Sequence, residues 1–126
     1  MAESRRILLA EDNEDLLRAV TRLAEGYGHD VIQTALGGEV LSLALEHRPH
    51  LIVLDITFPD MDGRDVLARL KAEERTADIP VLIWSGRMEA ESDRRIALEL
   101  GAEDYLEKID APALLRKIER VFLRFE

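Results

Sequence analysis

The sequence predicts an α/β fold, a doubly wound open parallel sheet with helices on both faces. Three observations predict it. Apolar runs bounded by turn signals alternate with segments whose apolar residues recur every three or four positions, the pattern of repeated βα units, and five units can be counted. Three of the runs (ILLA, LIVLD and VLIWS) are nearly continuous hydrophobes, as expected of central parallel strands covered on both sides. A length of 126 residues, 47% of them hydrophobic, supplies one core and no second domain of ordinary size, so residues 1–126 are expected to form a single domain.

In chain order the strands are expected at Arg6 to Ala10, Asp30 to Thr34, Leu51 to Asp55, Val81 to Ser85 and a short Asp104 to Leu106. The first helix is capped by Asn13, turns Leu16, Val20 and Leu23 to the core, and is stopped at Gly26. Further helices are expected near Glu39 to His47, Arg64 to Glu74 and Glu89 to Leu100. The last is capped by Asp110 and tolerates Pro112 in its first turn. It carries the apolar stripe Leu114, Ile118, Val121, Phe122 and Phe125. Trp84 and the phenylalanines of the last helix are expected in the core, and His29, His47 and His50 are read as structural or solvated.

Composition narrows the function. With 26 acidic against 17 basic side chains the formal charge is −9, so the phosphate backbone of a nucleic acid repels the chain as a whole. No cysteine is present, which excludes disulfides and thiolate metal sites and fits a reducing compartment. Met1 to Arg6 is polar, and no apolar run approaches the roughly 18 residues of a membrane span. A cytoplasmic location, with no direct nucleic-acid or membrane contact, is expected.

In an open parallel α/β sheet, ligands bind beyond the carboxyl ends of the strands, where strand order reverses. The residues that follow the strands here are Glu11, Asp12 and Asn13, then Asp55, then Ser85 and Gly86, then Lys108. Three acids, a hydroxyl and an amine therefore converge on one rim. Gathered carboxylates repel one another, and a hard divalent cation relieves this through oxygen ligands. Mg²⁺ suits the set, because it uses few protein carboxylates and completes its shell with water and phosphate oxygens. Such a cation neutralises a phosphoryl group in flight, Lys108 and Ser85 are placed for its other oxygens, and one carboxylate is left as nucleophile. Asp60 and Asp62, in the Pro-Asp-Met-Asp-Gly turn, are read as turn residues that bond their own backbone.

Four ordered segments, LLAEDNE, LIVLDITFPDMDG, VLIWSG and GAEDYLEK, together resemble the receiver domain of two-component response regulators across nearly the whole chain. The resemblance implies a flavodoxin-like (βα)5 sheet in the order 2-1-3-4-5. It implies that Asp55 accepts a phosphoryl group from a histidine kinase or histidine phosphotransfer protein, and that Glu11, Asp12, Asp55 and the Thr57 backbone carbonyl hold Mg²⁺. Ser85 and Lys108 then bind the phosphoryl oxygens, and Tyr105 reports the state by moving inward. Output passes to a downstream protein effector or an attached output domain, and the domain is a phosphoacceptor rather than an enzyme, catalysing at most its own phosphorylation and dephosphorylation.

Two other readings stand beside this one. A haloacid-dehalogenase-type phosphatase also places an Asp after a parallel strand, but wants a second Asp two positions on, where this chain has Thr57. A degenerate receiver would bind partners constitutively, yet every acidic, hydroxyl and lysine position is filled here. A nucleotide-binding switch lacks its glycine-rich phosphate cradle. Two departures from the family pattern concern tuning. Thr57 and Arg87 lie where receivers adjust hydrolysis of the acyl phosphate, and Ile109 stands in place of the usual proline after the lysine. A cis bond before a non-proline residue costs roughly 2.5–4 kcal/mol, so a trans Lys108–Ile109 peptide with a locally rerouted loop is expected.

Overall fold

The computed structural model describes residues 4–86, 90–107 and 110–124, with the side chains of residues 90 and 91 excepted. Every residue of segments 51–54 and 81–85 is buried, which is why these stretches read as unbroken hydrophobes instead of alternating ones. Five parallel strands form: β1 (Arg6–Ala10), β2 (Asp30–Thr34), β3 (Leu51–Leu54), β4 (Val81–Ser85) and β5 (Asp104–Glu107). They pair in the order β2-β1-β3-β4-β5, as the resemblance implied. Helices α1 (Glu14–Gly26), α2 (Val40–His47), α3 (Gly63–Ala72), α4 (Ala90–Glu99) and α5 (Ala111–Arg124) connect and follow them.

The sheet divides the core in two. On one face Leu8, Ile52, Leu54 and Ile83 pack beneath Val40 and Ala44 of α2, Val66, Leu67 and Leu70 of α3, and Ala97 of α4. On the other, Ile7, Leu9, Val53, Leu82 and Trp84 meet Val20 and Ala24 of α1 and the stripe Leu114, Ile118, Val121 and Phe122 of α5. Fully burying each such aliphatic side chain contributes about 1.5–3 kcal/mol.

Several expected boundaries shift for identifiable reasons. Strand β3 stops at Leu54 instead of Asp55, because the Asp55 carboxylate turns back to accept the Thr57 N–H at 3.1 Å. Strand β5 runs on to Glu107, which pairs with Ser85. Helix α1 keeps Gly26 as its last residue, and Gly28, at φ +92°, takes the left-handed position that ends it. The first turn expected for α2 is a separate 3-10 turn at Gly37–Glu39. Helix α3 starts at Gly63 and ends at Ala72. Beyond it the Thr76 hydroxyl donates to the Leu70 carbonyl at 2.6 Å, and the Lys71 ammonium donates to the carbonyls of Ala77 and Ile79. The expected caps form, with Asn13 Oδ1 accepting from Asp15 and Leu16, and Asp110 Oδ1 from Ala113. The expected start of α4 at Glu89 and the stripe residue Phe125 lie outside the described residues.

Two of the histidines are structural in a specific sense. The N–H of Arg5 donates to His29 Nδ1 at 3.1 Å and that of Arg6 to His50 Nδ1 at 2.9 Å, so imidazoles beside β2 and β3 receive the donors at the start of β1. His29 Nε2 then faces the Glu119 carboxylate of α5 at 3.0 Å, while His47 lies half exposed beside Glu46. Burial, and then the nearby Arg5 and Arg6, hold the His50 pKa below its ordinary 6.5. A depressed histidine pKa means that protonation opposes the fold. The His50 contribution is therefore complete above about pH 6.5 and is lost as pH falls through the lower folded value. Protection of the Arg6 amide against hydrogen exchange is expected to fall over that window in wild type. It should hold in His50→Asn, whose side-chain oxygen still accepts; equal pH dependence in both would contradict the assignment.

Candidate functional site

The order reverses between β2 and β3 on either side of β1, so the crevice opens at the carboxyl ends of β1 and β3. Glu11 and Asp12 leave β1 there, and Asp55 leaves β3 beside them, its N–H donating to the Ala10 carbonyl at 3.1 Å. One carboxylate oxygen from each of Glu11, Asp12 and Asp55 lies within 4.8 Å of the others. Glu11 and Asp55 are buried and Asp12 is exposed, so the cluster has a closed floor and an open mouth. Among the described residues this is the one group of three or more acidic or histidine side chains placed to hold a metal ion.

Local bonds orient the acids. Glu11 Oε2 accepts the Asn13 N–H at 2.9 Å, and the Glu11 N–H donates to the Thr34 carbonyl at 3.0 Å. The donor set is all oxygen and all carboxylate, which fits a hard cation such as Mg²⁺ or Mn²⁺ and not a soft one. Thr57 is exposed at the mouth, paired across an isolated bridge with Asp62.

Ser85 ends β4 fully buried. The register sets Ile83 opposite Tyr105, and Ser85 lies two residues beyond Ile83, so Ser85 and Tyr105 face the same side of the sheet. The Tyr105 ring is buried among the residues that α4 covers. Next to it, Asp104 pairs with Arg94 of α4 at 3.2 Å and Lys117 of α5 at 2.8 Å, tying α4, β5 and α5 together. Lys108, its expected phosphoryl contact, the Lys108–Ile109 peptide and Arg87 all lie outside the described residues.

Two residues after β3, Asp60 and Gly63, take partners that their sequence context did not indicate. Asp60 does not serve only its own turn. Its carboxylate accepts the N–H groups of Gly37 and Gly38, at 2.9 and 2.8 Å, in the loop between β2 and α2. The Gly38 N–H, then that of Gly37, holds the Asp60 pKa below the ordinary carboxylate value. Gly63 is the other. Its N–H donates to the Ile56 carbonyl at 2.6 Å, and a Cβ there would meet Ile56 Cα at 2.6 Å and the Asp55 carbonyl oxygen closer still. A glycine in the first position of a helix, next to an N-cap aspartate, was the available signal. Asp62 is that N-cap, accepting the Arg64 N–H at 2.8 Å.

Comparison with known proteins agrees with this geometry. A family model of the response regulator receiver domain matches residues 7–119. The chain is 40% identical over 105 residues to the transcriptional regulatory protein PrrA of Mycobacterium bovis, covering 83% of this chain and 44% of that protein. It is 32% identical over 117 residues to protein PilH of Pseudomonas aeruginosa, covering 92% and 96% respectively. Among solved structures, the Mn²⁺-bound form of response regulator Rcp1 superposes with a TM-score of 0.75 at 30% identity, covering 84% of this chain and 82% of that one. The chain thus spans less than half the length of PrrA and nearly all of PilH.

Proposed function

The chain belongs to the response regulator receiver domain family, whose members are signalling phosphoacceptors of two-component systems and not enzymes in the ordinary sense. From that premise we propose that Asp55 receives a phosphoryl group from the phosphohistidine of a histidine kinase or histidine phosphotransfer protein, and that the domain then signals through protein contacts. The observation that carries the reading is the convergence of Glu11, Asp12 and Asp55 within 4.8 Å at the carboxyl ends of β1 and β3.

The Thr57 N–H holds the Asp55 side chain in place, so the carboxylate is fixed before the donor arrives. Asp55 attacks phosphorus, the bond to the leaving histidine breaks, and an acyl phosphate results. Glu11, Asp12, Asp55 and the Thr57 carbonyl are the ligands we assign to Mg²⁺. When bound, that ion supplies charge neutralisation for the transferring group. The Mn²⁺ carried by Rcp1 supports a divalent cation at this set. Ser85 and Lys108 are assigned to the phosphoryl oxygens. The acyl-phosphate lifetime, including any self-catalysed hydrolysis, falls to the neighbourhood of Thr57 and Arg87.

Transmission follows from the face shared by Ser85 and Tyr105. A Ser85 hydroxyl drawn to the phosphoryl group changes the space beside Tyr105, and the Asp104 pairs carry the shift to α4 and α5. The recipient is a downstream effector or an attached output domain. Relatives of both kinds of length, the long transcriptional regulator PrrA and the short PilH, accommodate either. No described helix is long and apolar enough to cross a membrane, and with a charge of −9 we assign the domain to protein contacts in the cytoplasm rather than to DNA or lipid. Acetyl phosphate with Mg²⁺ is expected to add one hydroxylamine-labile phosphoryl group, and failure to label with any phosphodonor would overturn the proposal. Ser85→Ala should still be labelled, with amide shift changes on α4, β5 and α5 reduced by about half or more. Changes equal to wild type would remove Ser85 from the transmission path.

A further inference from the structure

The phosphoacceptor chemistry does not use Asp60. Its bonds to Gly37 and Gly38 span 23 and 22 residues and join two loops that leave different strands. The loop after β2 is also fastened to the metal acids, through Thr34. The Thr34 carbonyl accepts the Glu11 N–H at 3.0 Å, and its hydroxyl accepts the Leu36 N–H at 3.2 Å and donates to Glu39 Oε1 at 2.7 Å. From Leu36 the chain passes directly to Gly37 and Gly38, and from them across to Asp60.

The links close a ring. Glu11 leads through Thr34, Leu36 and the Gly37–Gly38 pair to Asp60, back along the turn through Thr57 to Asp55, and from the Asp55 N–H to the carbonyl of Ala10, next to Glu11. The packing inside it is tight. A Cβ on Gly37 would lie 2.7 Å from Met61 Cγ and 3.2 Å from both Phe58 and Val66, so this glycine lets the two loops approach. The Asp62 bridge to Thr57 stiffens the far side of the turn. A cation that needs its ligands at short, near-fixed distances is sensitive to the spacing between the β1 and β3 ends, and closure on a second side restricts that spacing more than the strand pairing alone.

We propose that Asp60 is a positioning residue: by clamping Gly37 and Gly38 it braces the Glu11 and Asp12 side of the acidic site against the Asp55 and Thr57 side. The proposal rests on the reading of that site as a Mg²⁺ site. Asp60 is not one of the three clustered carboxylates and is bonded to Gly37 and Gly38, so in this proposal it acts on affinity through the spacing of the ligands.

The test uses the full chain, with Mg²⁺ affinity measured by titration at constant ionic strength and hydrogen exchange of the Gly37 and Gly38 amides measured without metal. In Asp60→Ala the two amides are expected to lose protection and the Mg²⁺ Kd to rise about threefold to tenfold. Asp60→Asn, whose single oxygen still accepts one N–H, should fall between, and it serves as the reporter if the alanine variant does not fold. Thr34→Val keeps the carbonyl bond to Glu11 but removes the hydroxyl that accepts the Leu36 N–H and donates to Glu39, so it loosens the same loop at its other end and should weaken Mg²⁺ binding similarly, while the double variant should be no weaker than the weaker single one. A Kd within twofold of wild type despite lost protection, or a double variant whose effects add in full, would overturn the proposal. Wild type that neither binds Mg²⁺ nor is labelled at Asp55 would instead bring down the reading of the site on which the brace depends.

Discussion

Asp55→Asn is expected to abolish acyl-phosphate formation, leaving no hydroxylamine-labile label from acetyl phosphate under conditions that label wild type stoichiometrically. The substitution preserves shape and removes only the nucleophilic carboxylate and its charge. The same change should have an opposite effect on stability. Two like charges about 5 Å apart repel by roughly 3 kcal/mol at an effective dielectric constant of about 20, and the three donor oxygens lie within 4.8 Å of one another. The exposed mouth at Asp12 screens part of this, and about 1 kcal/mol goes if the Thr57 bond is weakened. Metal-free Asp55→Asn is therefore expected to be more stable than metal-free wild type by about 1–2 kcal/mol, raising the melting midpoint by several degrees. Mg²⁺ should raise the midpoint of wild type more than that of the variant, because it relieves a repulsion the variant lacks. Equal labelling of the two proteins would refute Asp55 as the acceptor. Equal Mg²⁺-induced shifts would refute the acidic cluster as the metal site.

The second large effect is expected at Gly63. A methyl group there cannot be absorbed by a flexible neighbour, since what it meets is backbone, the Asp55 carbonyl and Ile56 Cα. Relief requires α3 to move away from the turn that carries the phosphoacceptor, with stretching of the Gly63 to Ile56 bond. Overpacking of this kind costs about 3 kcal/mol, equivalent to a midpoint lowered by roughly 10 °C. Gly26→Ala is the matched control. Gly26 has no heavy atom within 4 Å of its would-be Cβ and sits in the last turn of α1, so alanine should be neutral or should stabilise by up to about 1 kcal/mol. Thermal unfolding of the pair separates the two cases. A Gly63→Ala midpoint within two or three degrees of wild type would show that α3 is free to shift.

Much of the site was legible because its logic is local to the strand ends. A buried parallel strand reads as a hydrophobic run, so the first polar residues after ILLA and LIVL announce themselves as Glu11, Asp12 and Asp55, and the parallel arrangement brings them to one rim. Ser85 was read the same way, at a strand end, whereas the role given to Tyr105 came from the family resemblance and not from its position in the short strand. Boundaries were legible only where a side chain cap decides them, as at Asn13 and Asp110. At Ala72 and Gly37 they were not: a hydroxyl just past the helix, Thr76, bonds back to Leu70, and Asp60 from another loop reshapes the turn at Gly37.

By itself, then, the sequence determined the five βα units, the two-sided burial of the sheet and the identity of the acids at its carboxyl rim. Each of these follows from hydrophobic periodicity over a handful of neighbouring residues and from the geometry of parallel strands. Only the tertiary structure decided what Asp60, Gly63, His29 and His50 do. Their partners lie far off in the chain or across a turn: Gly37 and Gly38 for Asp60, the backbone of Asp55 and Ile56 for Gly63, Arg5 and Glu119 for His29, and Arg6 for His50. An aspartate in a turn, a glycine and a histidine satisfy their local rules with many different partners. Which one each takes is fixed when the sheet assembles and brings distant loops within hydrogen-bonding distance.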